Sequence, residues 1–238
     1  MARPPRLTPL SQLPDFDPRK VPVLAVDTHL PAVDRAVLQP EALERRFRTP
    51  PEWQPEIRQE PLWVERPPVP ASVLIPVVVH ERPTILLTQR TTHLSSHSGQ
   101  IAFPGGKQDA ADADLVATAL REAQEEVGLD PARVQVIGRL PEYRTGSGFI
   151  ITPVVSLVRP GFELVPNPFE VEEAFEVPLD FLMDPANHRR HAFMAGGMQR
   201  EWLSMPYRGE GASERFIWGA TAGILRNLYR FLQATTTR

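Results

Sequence analysis

Three glutamates at helical spacing are the residues of this sequence with the clearest chemical potential. Glu122, Glu125 and Glu126 stand at positions i, i+3 and i+4, so a helix would place their carboxylates on one face. Like charges on adjacent turns repel one another, whereas a divalent cation would turn that repulsion into coordination. Mg²⁺ and Mn²⁺ prefer such oxygen ligands. A solvent-exposed acidic helix face has the same spacing, and the spacing alone favours that simpler interpretation.

The flanking residues predict the helix that carries these glutamates. Asp112 or Asp114 can cap its start, and Gly128 can end it after Val127. Its apolar residues recur at helical spacing, which predicts one face buried against a sheet. These apolar residues are Leu115, Val116, Ala119, Leu120, Ala123 and Val127.

The rest of the pattern is typical of an α/β protein. Aliphatic and β-branched runs at 72–80 and 83–89 predict neighbouring strands that could form a hairpin. Further strands are predicted at 134–140 and 150–158, a helix at 170–175, a turn or short helix at 178–183 and an amphipathic helix at 218–233. The strands and helices alternate without the regular rhythm of a doubly wound sheet. We therefore expect an α/β sandwich with a mixed sheet.

The first 70 residues differ in composition from the remainder. Prolines cluster there, which excludes long helices outside the window 39–48. The same stretch carries large apolar residues, which are unusual in a disordered tail: Trp53, Ile57, Leu62 and Trp63. We predict that residues 1–69 form a Pro-rich arm, packed either on the domain 70–238 or on a partner subunit. The second arrangement would give a homodimer.

The residues around the glutamates resemble the signature of the Nudix hydrolases. That signature reads Gly-x5-Glu-x7-Arg-Glu-U-x-Glu-Glu-x-Gly-U, with U an apolar residue, and the stretch from Arg121 to Leu129 fills its second half. In the first half the glutamate position falls on Ala113, so Asp112 or Asp114 is expected to take over that structural role. The resemblance implies a Nudix-type α/β/α sandwich with a mixed β-sheet.

The loop before this signature is similar to the extra motif of the coenzyme A pyrophosphatase branch of that family. Residues 86–90 (LLTQR) and 99–106 (GQIAFPGG) carry the resemblance. The whole match runs from about residue 70 to residue 233. Two positions depart from the branch: Ser95 stands where it usually has arginine, and Thr91 where it prefers serine or alanine. A lost basic group would weaken recognition of a substrate phosphate.

The resemblance implies hydrolysis of a diphosphate linkage with Mg²⁺ or Mn²⁺ as cofactor. It implies metal ligation by Glu122, Glu125 and Glu126 with the backbone of Gly106, and a role for Arg121 in holding the neighbouring glutamates. The expected substrate is a small nucleotide, coenzyme A, which would give 3′,5′-ADP and 4′-phosphopantetheine. The two alternatives are cleavage of ADP-ribose or another nucleoside diphosphate derivative, and a catalytically silent domain that senses a nucleotide.

Further residues are assigned roles around this chemistry. The general base is expected at Glu125, Glu170 or Glu173, because family members place it either in the signature or on a later loop. Arg90, Gln100 and Phe103 are assigned to substrate binding. His93 and His97, four residues apart, lack the intervening glutamate of a zinc protease, so a metal site there is not expected.

Composition excludes several other classes of function. The chain of 238 residues has a formal net charge of −3, which argues against a nucleic-acid or anionic-membrane binder. It contains no cysteine, which excludes disulfides, cysteine zinc sites and thiol nucleophiles. No apolar run reaches the roughly 18–20 residues needed to span a bilayer, and the start lacks the apolar segment of a secretory signal. We therefore expect a cytoplasmic protein.

Overall fold

The computed structural model describes residues 13, 16–62, 64, 66–92, 99–195, 197–209 and 213–235. Short 3₁₀ turns at Pro131–Arg133 and Pro185–Asn187 connect some of the regular elements. Within the described ranges the elements are, in chain order, β1 (Val23–Val26), α1 (Pro40–Arg48), β2 (Val69–Val78), β3 (Thr84–Arg90), β4 (Ile101–Ala102), β5 (Gly105–Lys107), α2 (Leu115–Val127), β6 (Val134–Arg139), β7 (Tyr143–Arg144), β8 (Phe149–Val158), β9 (Val171–Pro178), α3 (Leu179–Leu182), β10 (Arg189–Ala195), β11 (Met198–Tyr207), β12 (Arg215–Trp218) and α4 (Gly219–Gln233).

A mixed sheet forms the centre of the molecule. Strands β2 and β8 run parallel over ten paired positions, from Val69 opposite Phe149 to Val78 opposite Val158. In the described chain, the order β4-β3-β2-β8-β6 is extended by β5 on β2, β7 on β8 and β9 on β3. The strands predicted at 72–80 and 83–89 pair antiparallel at their adjoining ends, which confirms the hairpin.

Helix α2 covers one face of this sheet, and its ends follow the predicted signals. Asp114 accepts hydrogen bonds from the backbone N–H groups of Val116 and Ala117, both at 2.8 Å. Gly128 ends the helix at φ 70°, a left-handed conformation that glycine adopts at low cost. The buried helix residues Ala119, Ala123 and Val127 pack against apolar side chains of β2, β3 and β8: Leu74, Val78, Leu86, Val154 and Val158.

The opposite face of the sheet packs against α1 and α4. The sheet contributes Ile75, Val77, Ile85, Leu87, Val155 and Leu157 to this core. Helix α4 contributes Ile224, Leu225, Leu228, Phe231 and Leu232, and Leu43 of α1 joins them. The predicted α/β/α sandwich with a mixed β-sheet is confirmed. The boundary between 1–69 and 70–238 stays a prediction, because residues on both sides of it share this core.

A second sheet was not anticipated from the sequence. Strands β1, β10, β11 and β12 form it in that order, and all of its pairs are antiparallel. Its inner positions include buried polar side chains, among them His191 and Arg200, 3% and 4% exposed. Such residues interrupt the alternation of apolar and polar positions by which a strand is normally identified.

The helix predicted at 170–175 is wrong, because this segment forms most of strand β9. Strand β9 pairs antiparallel with β3, from Pro178 opposite Thr84 to Val171 opposite Arg90. Several glutamates gave the segment a helical bias, but that bias is worth only tenths of a kcal/mol per residue. Backbone pairing along the edge of β3 outweighs it.

A buried group of charges joins the N-terminal segment to the last helix. Arg226 of α4 has a fully buried side chain, lies 3.0 Å from Asp27 and donates to Glu56 at 2.7 Å. Arg190 of β10 donates to both carboxylates, each at 2.8 Å, and Arg230 also donates to Glu56. Since buried charges are tolerated only when they are paired, these contacts fix the path of the N-terminal segment.

The arginines keep these carboxylates ionised. Burial opposes ionisation of Glu56, but hydrogen bonds from Arg226, Arg190 and Arg230 outweigh it and lower the pKa of Glu56 to about 2. Burial likewise opposes ionisation of Asp27, but a hydrogen bond from Arg190 and the positive charge of Arg226 lower the pKa of that carboxyl. The group therefore remains charged over the whole neutral range.

None of the helices in the described ranges combines the length and the apolar character that crossing a bilayer requires.

Replacing Asp27 tests how much the buried charges contribute to the stability of the fold. Asp27→Asn leaves the fully buried Arg226 with one anionic partner fewer, so we expect the free energy of unfolding to fall by about 3–5 kcal/mol. Urea denaturation at pH 7 measures it. Glu142→Gln is the control, because Glu142 and Arg144 are 4.0 Å apart and more than half exposed; it should cost no more than about 0.5 kcal/mol. Equal losses in the two variants would contradict the assigned role of the buried group.

Candidate active site

Arg121 organises the acidic end of α2. Its Nε and Nη2 each donate to a different oxygen of Asp112 at 2.9 Å, which is a bidentate pair. Its Nη1 donates to Glu122 and to Glu125, again at 2.9 Å in both cases. Nη2 also donates to the carbonyl oxygen of Lys107 at 3.2 Å. One guanidinium therefore connects two glutamates of the signature to the strand that precedes the helix.

The structure separates the roles of the two neighbouring aspartates. Asp112 accepts from Arg121, from the Asp109 backbone N–H at 2.9 Å and from the Thr118 hydroxyl at 2.9 Å. The Arg121 bond is the main cause that holds the pKa of Asp112 well below its usual range. Asp114 caps the helix instead. Asp112 is therefore the carboxylate that anchors Arg121.

Glu126 is the most deeply buried of the three glutamates, with 3% of the residue exposed. Its carboxylate accepts from the Gly105 N–H at 3.2 Å and lies 3.5 Å from Nη1 of Arg90. Burial raises the pKa of Glu126 to about 7 against these contacts, and the negative charges of Glu122 and Glu170 add to the rise. This position thus carries more negative charge than its neighbours neutralise.

Glu122 lies against the backbone of Gly106. A methyl group at position 106 would come within 2.6 Å of the Glu122 carboxylate, so any other residue there would displace this side chain from its present position. Burial raises the pKa of Glu122, Arg121 opposes the rise, and the charges of Glu125 and Glu170 add to it. The Glu125 side chain is 59% exposed.

These donors fit a hard divalent cation in their chemistry. They are carboxylate oxygens beside a closely approached glycine backbone, and burial together with the neighbouring glutamate charges raises the pKa of both Glu122 and Glu126, a cost that a bound cation would offset. As the side chains stand, no three His, Asp or Glu groups in the described ranges meet closely enough to hold an ion. Arg121 draws Glu122 and Glu125 toward itself.

The two later glutamates have different surroundings. Glu170 lies close enough to the signature for its charge to raise the pKa of Glu122 and Glu126. Glu173 is ion-paired with Arg215, whose guanidinium also lies 4.8 Å from the ring centroid of Phe175. The structure therefore brings Glu170 to the carboxylates of α2 and engages Glu173 elsewhere.

The three residues assigned to substrate binding line one cavity of about 840 Å³. Arg90 and Gln100 are joined by a backbone hydrogen bond of 2.9 Å, and Phe103 is 3% exposed, so it borders the cavity from the core. Gly105 and Gly106 line the same cavity. Its volume is in the range of small-molecule sites in proteins.

Sequence reasoning gave no role to the other walls of this cavity. They come from the N-terminal segment, from β5 and β8 and from the second sheet, and include Glu60, Arg66, Lys107, Phe149, Arg200 and Trp202. No motif marks these residues, and only Lys107 had a local signal, since it directly follows the Gly-Gly pair. His93, His97 and Ser95 lie outside the described residues.

Comparison with known proteins finds similar sequences and structures. A family model described as the NUDIX domain matches residues 68–196. A relative from Citrobacter koseri named "Uncharacterized Nudix hydrolase NudL" is 46% identical over 159 residues, which are 66% of this chain and 80% of the relative. Its namesake from Shigella flexneri serotype 5b is 42% identical over 176 residues, 74% of this chain and 86% of the relative. A solved C. elegans Ap4A hydrolase complex shows 18% identity and a TM-score of 0.41 over 50% of this chain and 85% of its own.

The family match covers more than half of the chain, and both relatives are more than 40% identical to it. The stretch matched by the family model includes Arg121 and the three glutamates of α2. On these grounds the chain belongs to the Nudix hydrolases.

Proposed function

We propose that this protein hydrolyses the diphosphate linkage of coenzyme A with Mg²⁺ or Mn²⁺, releasing 3′,5′-ADP and 4′-phosphopantetheine. Action on a diphosphate substrate follows from membership of the Nudix hydrolases. The observation that carries the proposal is the set of carboxylates organised by Arg121 next to Gly105 and Gly106, which line a cavity of about 840 Å³. The motif at 86–90 and 99–106 supports the choice of coenzyme A, because seven of its thirteen residues line that cavity: Arg90, Gln100, Ile101, Ala102, Phe103, Gly105 and Gly106.

The cation would be held by Glu122, Glu125, Glu126 and the backbone carbonyl of Gly106. It would supply charge neutralisation of the diphosphate and activation of a water molecule. Glu122 and Glu125 contact Arg121 in the present arrangement, so their side chains must turn away from it to ligate. Arg121 keeps its bidentate contact with Asp112 during such a turn and so continues to fix the start of the helix.

The chain's own groups orient the reaction. Arg90 faces the buried Glu126 from the cavity side and is placed to bind a phosphate oxygen. Glu170 is the favoured general base, because it lies near Glu122 and Glu126; its carboxylate would accept the proton of the attacking water. Glu125 is the alternative base, since its side chain is largely exposed. Glu173 is less suited because Arg215 binds it.

A second candidate function is cleavage of ADP-ribose or another nucleoside diphosphate derivative. The observation that favours it is Ser95, where the coenzyme A branch usually carries arginine. A silent nucleotide sensor is disfavoured, because Glu122, Glu125 and Glu126 are all present.

Product analysis with purified protein decides the substrate. Coenzyme A, ADP-ribose and diadenosine polyphosphates are incubated separately with Mg²⁺ or Mn²⁺, and products are resolved by chromatography. We expect metal-dependent release of 3′,5′-ADP from coenzyme A, which requires attack on its diphosphate. Cleavage of ADP-ribose alone would keep the hydrolase chemistry and discard coenzyme A. No turnover of any compound would favour the sensor.

Amide substitutions test the three glutamates of α2. Glu122→Gln, Glu125→Gln and Glu126→Gln remove one anionic ligand each while keeping the side-chain shape. We expect kcat to fall by on the order of 10²–10³-fold, since a catalytic cation supplies several kcal/mol of transition-state stabilisation. Glu172→Gln on the exposed side of β9 is the matched control and should keep full activity. Unchanged kcat in a signature variant would remove that residue from the site.

Matched substitutions of Asp112 and Asp114 test the positioning role of Asp112. Asp112→Asn weakens its hold on Arg121, and we expect the affinity for Mg²⁺ to fall about 10–100-fold, as is usual for groups that support metal ligands. Asp114→Asn should change it little, because asparagine caps helices as well as aspartate. Titration calorimetry with Mg²⁺ and the metal dependence of kcat measure both variants. Equal effects of the two substitutions would refute the separate roles.

A further inference from the structure

We propose that Arg66 and Lys107 form a phosphate subsite that recognises a phosphate monoester of the substrate, remote from the scissile diphosphate. This inference rests on the proposed function, because it places the second phosphate relative to the diphosphate bound beside α2. Arg66 precedes residues 68–196, so the subsite combines a residue outside the matched family domain with one inside it.

Arg66 is held against the start of β8. Its guanidinium carbon lies 4.7 Å from the ring centroid of Phe149, and Nη2 donates to the carbonyl oxygen of Ser147 at 2.6 Å. Gly148 makes this approach feasible, since a methyl group there would lie 3.2 Å from Nε of Arg66. Gly148 also has φ 84°, a conformation that other residues rarely adopt. The arginine is thereby oriented, with donors of its planar fork left for a ligand.

Lys107 reaches the same ring from the other side of β2. Its Nζ lies 5.9 Å from the Phe149 centroid. The strand register explains the meeting, because Lys107 pairs with Ala71 of β2 while Phe149 pairs with Val69. Two cations from separate strands and segments therefore converge on one aromatic ring at the cavity wall.

No carboxylate of the described ranges forms an ion pair with either cation. Glu60 lines the same cavity, but its two oxygens accept from the Tyr143 hydroxyl at 3.0 Å and the Gly146 N–H at 2.9 Å. A pair of positive charges facing a cavity without a carboxylate partner attracts an anion, and arginine binds phosphate with particular geometric fit.

The position of this pair favours a remote phosphate over the scissile diphosphate. Gly106 faces Glu122 on one side of β5, and Lys107 follows it, so its side chain points to the opposite side. Phe149, the ring that both cations approach, begins β8, and β8 lies two strand spacings, about 10 Å, from β5 and its Gly106. A ligand that spans both places is a nucleotide derivative with a further phosphate on its ribose. Coenzyme A carries such a group, and ADP-ribose does not.

The test compares two ligands that differ only in that group. Adenosine 3′,5′-bisphosphate and AMP are titrated by calorimetry into the protein without added metal, which makes the readout independent of turnover. We expect the wild type to bind the bisphosphate at least tenfold more tightly. Arg66→Met and Lys107→Met should each remove about tenfold of this preference, the usual worth of a charge-assisted contact.

Arg58→Met is the matched control, because Arg58 is an exposed arginine of the same segment that donates to Gln54 at 3.2 Å and does not line the cavity. It should keep the full preference. An unchanged preference in both test variants overturns the subsite, and so does a wild type that binds both ligands equally. Equal loss for both ligands also overturns it, since that result places the cations on the shared 5′-phosphate.

The two test variants are independent of each other. If Arg66→Met lowers the unfolding midpoint, Lys107→Met still decides the question, because Lys107 has no bond to Ser147. If coenzyme A is not hydrolysed while both variants lose the preference, the proposed function fails and the subsite stands.

Discussion

The buried ion group of Arg226, Asp27 and Glu56 is the constraint on which the arrangement of this molecule depends. Arg226 has no exposure to solvent, so its charge must be met by partners from elsewhere in the chain. Both partners lie in the Pro-rich N-terminal segment. Glu56 directly precedes Ile57, whose N–H donates to Asn227 of α4 at 3.0 Å. The same contacts that satisfy Arg226 therefore lay the following residues along the wall of the cavity.

The balance of charges differs between the buried ion group and the carboxylates of α2. In the buried group, three arginines outweigh two carboxylates, and the pKa of Glu56 falls to about 2. Around the C-terminal half of α2, Arg121 and Arg90 face Asp112 and three glutamates, and the pKa of Glu126 rises to about 7. The first balance favours a fixed structure. The second leaves negative charge unmet, which is the condition under which a divalent cation binds.

Features of the fold and the site could be predicted from the sequence where their signals lie close together in the chain. Helix α2 was predicted with its cap at Asp112 or Asp114 and its end at Gly128, because those signals lie next to the element itself. Asp112 and Asp114 could not be told apart, since the choice depends on where the Arg121 side chain reaches. The helix expected at 170–175 is wrong because pairing with β3 is a long-range contact. The second sheet stayed hidden because buried polar residues such as His191 are stabilised by partners far away in the sequence: Val21 and Ser204 contact its ring.

Residues proposed for the chemical step lie close together in the sequence, whereas residues proposed for substrate recognition come from distant segments. The proposed metal ligands occupy one helix and one short strand, so a short motif specifies them. The other walls of the cavity, proposed to contact the rest of the substrate, come from described residues of the N-terminal segment, from β8 and from the second sheet, which meet only in the folded chain. Binding energy from remote parts of a substrate can be used to orient its reacting bond. In a hydrolase built in this way, the motif specifies the reaction, and segments outside the motif determine which diphosphate is cleaved.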